Sequence, residues 1–100
     1  MLKIQYNRMS SNELSRWSVY IVTCSDGTLY TGITTNIFRR INEHNNSPRG
    51  AKYTRSRRPV MLLASRQVSN RSAALRCEWF VKQQSKSNKV TTLLSWCEQQ

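Results

Sequence analysis

One hundred residues, 38% of them hydrophobic, are enough for one domain with a modest core between two layers of secondary structure. Sixteen lysines and arginines against five acids leave a formal charge of +11, which favours a polyanionic partner, nucleic acid first, over a free-standing structural role. With no apolar run of about 18 residues and no helical pattern joining a basic face to a wide apolar one, the composition argues against a membrane partner.

Residues 1–16 (MLKIQYNRMSSNELSR) read as a polar lead-in without the apolar stretch of a signal peptide, and Met9 offers a second start. The domain is expected over 17–97. Trp17 to Thr23 (WSVYIVT) and Thr28 to Ile33 (TLYTGI) are rich in β-branched and aromatic residues and flank Ser25-Asp26-Gly27, which predicts a β-hairpin. Its register decides a question of function, because a one-residue shift moves a side chain to the other face. A two-residue Asp26-Gly27 loop pairs Tyr20 with Ile33 and puts Tyr20 and Tyr30 on opposite faces. A three-residue loop with Gly27 left-handed pairs Tyr20 with Gly32, puts both tyrosines on one face and leaves room beside the Tyr20 ring.

Apolar Ile37, Phe38 and Ile41 predict a first helix over Asn36 to Asn46, with Thr34, Thr35 or Asn36 as its cap. Residues four apart share a helix face, so Asn36, Arg40 and His44 form one line. Arg39 is assigned to Glu43 as an exposed i,i+4 pair, which leaves Arg40 free for a phosphate or for solvent. His44 is the sole histidine, and a packed helix-end role stands beside a catalytic one. Ser47 to Pro59 (SPRGAKYTRSRRP) has five basic residues, no acid and no period, and reads as a basic loop. Arg49, Lys52, Arg55, Arg57 and Arg58 are candidates to neutralise phosphates, and Tyr53 is a candidate to stack on an unpaired base.

Val60 to Ala64 (VMLLA) predicts a short buried strand, and Asn70 to Gln84 and Lys89 to Trp96 predict two further helices. The fold class is thus α+β in the order ββ-α-β-α-α. Glu78, set among Ala74, Leu75 and Val81, is placed on the core-facing side of its helix, where a carboxylate needs an arginine or a metal as partner. Magnesium takes only one or two protein carboxylates and fills its shell with water and phosphate, so a single glutamate is sufficient. Cys24, Cys77 and Cys97 are odd in number and far apart, which points to reduced thiols and a cytoplasmic setting. One histidine and no paired cysteines are too few for structural zinc.

Taken in order, Val19-Tyr20-Ile21, Tyr30-Thr31-Gly32, Gly32 to His44, Gly50-Ala51-Lys52-Tyr53-Thr54 and Ala74 to Trp79 resemble a GIY-YIG nuclease domain over roughly Trp17 to Leu94. Within that superfamily the pattern is most similar to the small stand-alone bacterial UPF0213 type. The resemblance implies a small three-stranded antiparallel sheet flanked by helices and a metal-dependent endonuclease acting on DNA, with Mg2+ or Mn2+ as cofactor and a role in DNA repair or processing. It carries functional roles onto Tyr20, Tyr30, Arg40, His44 and Glu78. Glu78 would hold the metal, Arg40 would contact the scissile phosphate and one tyrosine would help to activate water. His44 would orient a tyrosine or relay its proton. For a tyrosine to act near neutral pH its pKa must fall, and nearby cations are expected to lower it.

The first motif reads Ser18-Val19-Tyr20 in place of Gly-Ile-Tyr and the second has Thr31 at its centre, and neither change removes a reacting group. Ile33 stands where repair-type members often carry lysine, and Asn88 is the one candidate for a C-terminal asparagine. With no separate sequence-reading domain, selection of DNA structure, branched or single-stranded, is expected over selection of sequence, with room for a protein partner that supplies specificity. The alternative is a basic nucleic-acid-binding module without catalysis.

Overall fold

A computed structural model of the chain describes residues 16–97, so the polar lead-in apart from Arg16 lies outside the described residues. Strands β1 (Ser18–Thr23) and β2 (Leu29–Thr34) are followed by helices α1 (Ile37–Asn46) and α2 (Lys52–Arg55), strand β3 (Met61–Gln67) and helices α3 (Arg71–Lys82) and α4 (Lys89–Ser95). The strands form one antiparallel sheet in the order β2-β1-β3. The expected fold class is what is found, with one addition: the stretch read as an irregular basic loop contains the one-turn helix α2.

The hairpin takes the three-residue loop. Cys24 N–H donates to Thr28 O (2.8 Å), and Gly27 sits at φ 85°, a left-handed conformation that disfavours residues with a Cβ. Asp26 holds the turn by accepting from Thr28 N–H (3.1 Å) and from its hydroxyl (2.6 Å). In this register Tyr20 opposes Gly32 and Val22 opposes Tyr30.

Strand periodicity then divides the core in two. Val19 and Ile21 face α3 and α4, where they pack with Val68, Ala73, Ala74, Cys77, Val81 and Leu93. Tyr20 and Val22 face the other way and join Cys24, Val60, Tyr30 and Ile41 beside α1. Asn36 caps α1 by accepting from Arg39 N–H (3.0 Å), and Asn70 caps α3 by accepting from Ala73 N–H (2.8 Å).

β3 corrects the expectation of a buried strand. It lies at the edge of the sheet, and Met61, Leu62 and Leu63 are exposed. A continuous apolar run is equally consistent with a strand end that no helix covers, and here cover begins only at Ala64, which packs on the core shared with α4. The start of β3 is tied to α1 instead through Asn45, whose side chain accepts from Val60 N–H (2.7 Å) and donates to Val60 O (3.0 Å).

Candidate active site

The hairpin register puts the two tyrosines of β1 and β2 on the face that α1 covers, and α1 presents Arg40 and His44 to them one helical turn apart. Gly32 makes this possible. A Cβ at that position would lie 2.5 Å from Tyr20 Oη and 2.7 Å from Cζ, so the ring occupies the space that a side chain would fill. The Tyr20 and Tyr30 rings are 6.4 Å apart between centroids, and His44 lies 5.8 Å from Tyr20 and 5.3 Å from Tyr30. Tyr20 is 1% exposed and His44 fully buried, and Tyr20 Oη is hydrogen-bonded to His44 Nε2 (2.8 Å).

Burial works against charge on both groups. It pushes the Tyr20 hydroxyl up to about 12, an effect that Tyr30 and Glu78 reinforce and that the Arg40 guanidinium only partly offsets. Of the two cations expected to lower a tyrosine pKa, the metal and Arg40, Arg40 acts on Tyr20 in the expected direction, but by itself it is outweighed by desolvation. His44 is pulled down to about 4, by burial first and then by the charge of Arg40.

This has a consequence for acid stability. The unfolded chain takes up a proton on histidine near pH 6.5, whereas the folded chain resists until about pH 4. Acid thus favours the unfolded state, and stability present above pH 6.5 is lost as pH falls through that interval. The expected loss is on the order of 2–3 kcal/mol, measured by urea unfolding at pH 7, 5.5 and 4. A His44→Gln protein should show little change over the same range, and a parallel decline in both proteins would assign the effect to other groups.

Of the adjacent arginines, Arg39 makes the expected exposed pair with Glu43, but Arg40, expected to be free of any acid, pairs with it more closely. Glu43 Oε1 accepts from Arg40 Nη1 at 2.8 Å, while Arg39 Nε stands 3.7 Å from Oε2. Residues three apart are as close as residues four apart on a helix, and the less exposed arginine has the better pair. Hydrogen bonding from Arg40 holds the Glu43 carboxyl below the usual range. Arg40 Nη1 also donates to Arg49 O (2.9 Å) and the guanidinium hydrogen-bonds to the Tyr20 side chain as well, which leaves only its remaining N–H groups available.

Glu78 approaches Tyr20 closely enough for its charge to raise the hydroxyl pKa. It is not core-facing, because the buried face of α3 is Ala73, Ala74, Cys77 and Val81 while Leu75 is exposed. Its side chain is 20% exposed and meets Lys82 Nζ at 3.1 Å. No cluster of three or more histidine, cysteine or acidic side chains with metal-binding geometry occurs among the described residues. A divalent ion held here would thus have one protein carboxylate, a donor set that suits a hard cation completing its shell with water and phosphate once Lys82 swings aside. Asn88 lies in the turn before α4, ending the 3-10 segment Lys86–Asn88.

The basic segment separates into inward and outward residues. Arg58 turns inward and donates to His44 O, Glu43 O and Ser47 O, so it closes the C-terminus of α1. Arg57 pairs with Asp26 (3.0 Å) and lies 3.9 Å over the Tyr53 ring, which also stacks on Tyr30 at 5.9 Å. Tyr53 is therefore already engaged, and a base would have to displace one of its neighbours. Arg49, Lys52 and Arg55 remain exposed. Arg58→Ala is expected to lower stability by about 1–3 kcal/mol, since three carbonyls at a helix end lose their donor. Its effect on DNA affinity should be small, and a loss of affinity in a normally stable variant would restore Arg58 to the binding surface.

Three participants carried no signal in spacing or period. Thr54, fully buried, meets His44 Nδ1 through Oγ1 at 3.0 Å, and Ala51 N–H donates to the same nitrogen at 3.3 Å. Gly50 lets that loop approach α1, for a Cβ there would fall 2.7 Å from Glu43 O and 2.8 Å from His44 Cα. Their only trace in the chain is the ordered stretch Gly50 to Thr54.

Sheet, helices and facing tyrosines together define a GIY-YIG catalytic domain, and the family model of that description matches residues 16–91. A UPF0213 protein of Desulfotalea psychrophila is 61% identical over 75 residues, which cover 75% of this chain and 68% of the relative. One from Streptococcus agalactiae is 49% identical over 73 residues, covering 73% and 82%. The solution NMR structure of a UPF0213 protein from Bacillus halodurans shares 44% identity over 79% of this chain and 82% of that one, with a TM-score of 0.47. The chain belongs to the GIY-YIG nuclease family, in its UPF0213 group. No helix among the described residues is long and apolar enough to cross a membrane.

Proposed function

We propose that this protein is a cytoplasmic, divalent-metal-dependent endonuclease that hydrolyses DNA phosphodiester bonds in repair or processing, selecting DNA structure over sequence. The observation that carries the reading is the convergence of Tyr20, Tyr30, His44 and Arg40 on one face of the hairpin, with Glu78 near enough to act on Tyr20.

In this reading Glu78 holds Mg2+ or Mn2+, which supplies Lewis-acid stabilisation of charge at the phosphate. The N–H groups of Arg40 not taken by Glu43, Arg49 and Tyr20 hold phosphate oxygens with permanent charge in a planar geometry. Tyr20 accepts the proton of the attacking water as its phenolate, its own hydroxyl proton having passed to bulk water before the attack. Its oxygen has a fixed partner in His44 and a cation in Arg40, and with the charge of Glu78 neutralised, one of the influences that raise its pKa disappears. Tyr30 packs between the rings of His44 and Tyr53 and walls the site. Arg49, Lys52 and Arg55 bind phosphates along the DNA and carry little sequence information, so a protein partner would be the source of any further specificity.

The test is incubation of the wild-type protein with labelled duplex, single-stranded and branched DNA, with and without Mg2+ or Mn2+. Metal-dependent cleavage is expected, fastest on branched or single-stranded substrates. Binding measured alongside should weaken with salt at a slope of about −3.5 in log K against log salt, the value for roughly four phosphate contacts with Arg40 among them. Binding without cleavage of any substrate would replace this reading with a non-catalytic binding module.

A further inference from the structure

The buried imidazole of His44 has both ring nitrogens in contact with the protein, and its partners are unequal in kind. Ala51 N–H can only donate, and it points at Nδ1 from 3.3 Å. Thr54 Oγ1, 3.0 Å from the same nitrogen, is also 2.9 Å from Ala51 O. That carbonyl accepts both Thr54 N–H, at 3.1 Å, and the Thr54 hydroxyl, so the hydroxyl proton lies between Ala51 O and Nδ1, and the Ala51 amide, a donor only, decides the state of the ring. An amide donating to Nδ1 requires that nitrogen to be unprotonated, and the Thr54 hydroxyl 3.0 Å away then shares its proton between Nδ1 and Ala51 O. A neutral imidazole then carries its single proton on Nε2, 2.8 Å from Tyr20 Oη.

We propose that Thr54 is a positioning residue which, together with the Ala51 amide, holds His44 in the Nε2–H tautomer, so that the ring donates to Tyr20 oxygen and does not accept from it. The hydroxyl proton of Tyr20 is thereby turned away from His44, and the oxygen left when that proton departs has a donor already in place. His44 is therefore a fixed hydrogen-bond donor and not a proton acceptor. Gly50 belongs to the same device, since its missing Cβ is what lets Ala51 and Thr54 reach the ring.

This inference rests on the reading of Tyr20 as the group that handles the proton, and its test is kept independent of that reading. The tautomer is measured by 15N NMR of the histidine ring in protein free of metal and DNA. The expected spectrum has an unprotonated, hydrogen-bonded Nδ1 and a protonated Nε2. In Thr54→Val the Nδ1 resonance should shift towards that of a less hydrogen-bonded acceptor, and Thr54→Ser should restore it. Cleavage by Thr54→Val should fall roughly fivefold in kcat, the factor carried by one net hydrogen bond, with KM unchanged and recovery in Thr54→Ser. A wild-type spectrum with the proton on Nδ1 overturns the proposal, and so does a Thr54→Val spectrum identical to wild type. A correct tautomer in a wild-type protein that cuts no DNA would sink the proposed activity and leave this assignment standing.

Discussion

Gly32→Ala is expected to reduce cleavage by about two orders of magnitude, because a Cβ cannot share the space of the Tyr20 ring and a displacement near 1 Å is enough to cost that factor. The added carbon would stand 2.5 Å from Tyr20 Oη and 2.7 Å from Cζ, with the ring backed by the core. Either the ring rotates out and loses His44, or β1 and β2 separate. Overpacking of this kind destabilises by about 1–3 kcal/mol. Single-turnover cleavage and urea unfolding measure the two effects. The origin can be isolated with Tyr20→Phe, which removes the atom in closest conflict. In that background the stability penalty of Gly32→Ala should shrink, and an undiminished penalty would place the conflict elsewhere than at the hydroxyl.

Glu78→Ala should abolish metal-dependent cleavage, a fall of about 10²–10⁴ if the cation contributes several kcal/mol to the phosphate transition state. DNA binding should survive and tighten slightly. The substitution removes a negative charge from a basic surface and frees Lys82 from its 3.1 Å pair. Fluorescence anisotropy for binding and gel-resolved cleavage separate the two outcomes. Cleavage at the wild-type rate would remove Glu78 from the reaction, and with it the metal site that the proposed mechanism uses. Lost binding together with lost cleavage would instead point to a structural failure of α3.

Several parts of the site are local enough to be read along the chain. Asn36 caps α1 as Asn70 caps α3, because an N-cap depends on a side chain bonding to an amide three residues away. Arg40 and His44 fall on one face because helical period alone puts them there. The hairpin sits at the boundary of legibility. Its pattern fits two registers, and one residue of loop length, decided by the Cys24–Thr28 closure, separates tyrosines that share a site from tyrosines that do not.

Direction and neighbourhood were not legible. Five basic residues in one segment look alike by composition, yet Arg58 serves the carbonyls of α1 and Arg57 serves Asp26 and Tyr53, while Arg49, Lys52 and Arg55 face solvent. Arg39 does pair with Glu43 as the spacing predicts, but Arg40 was left without a partner for a related reason, since an i,i+3 neighbour competes on equal terms with an i,i+4 one until burial favours it. The apolar run of β3 does not reveal which strand lies at the sheet edge, and that depends on the order β2-β1-β3.

By itself the sequence determined the α+β class, the order of the elements apart from α2, the three candidates for the α1 cap, the line of Arg40 and His44, and the family, all of which depend on residues near one another in the chain. Tertiary structure decided that Thr54, Ala51 and Gly50 complete the surroundings of His44, that Tyr20 is held neutral and that Arg58 faces inward. These depend on contacts between segments, and on a desolvation that outweighs the charge of Arg40 only once the tyrosine is enclosed.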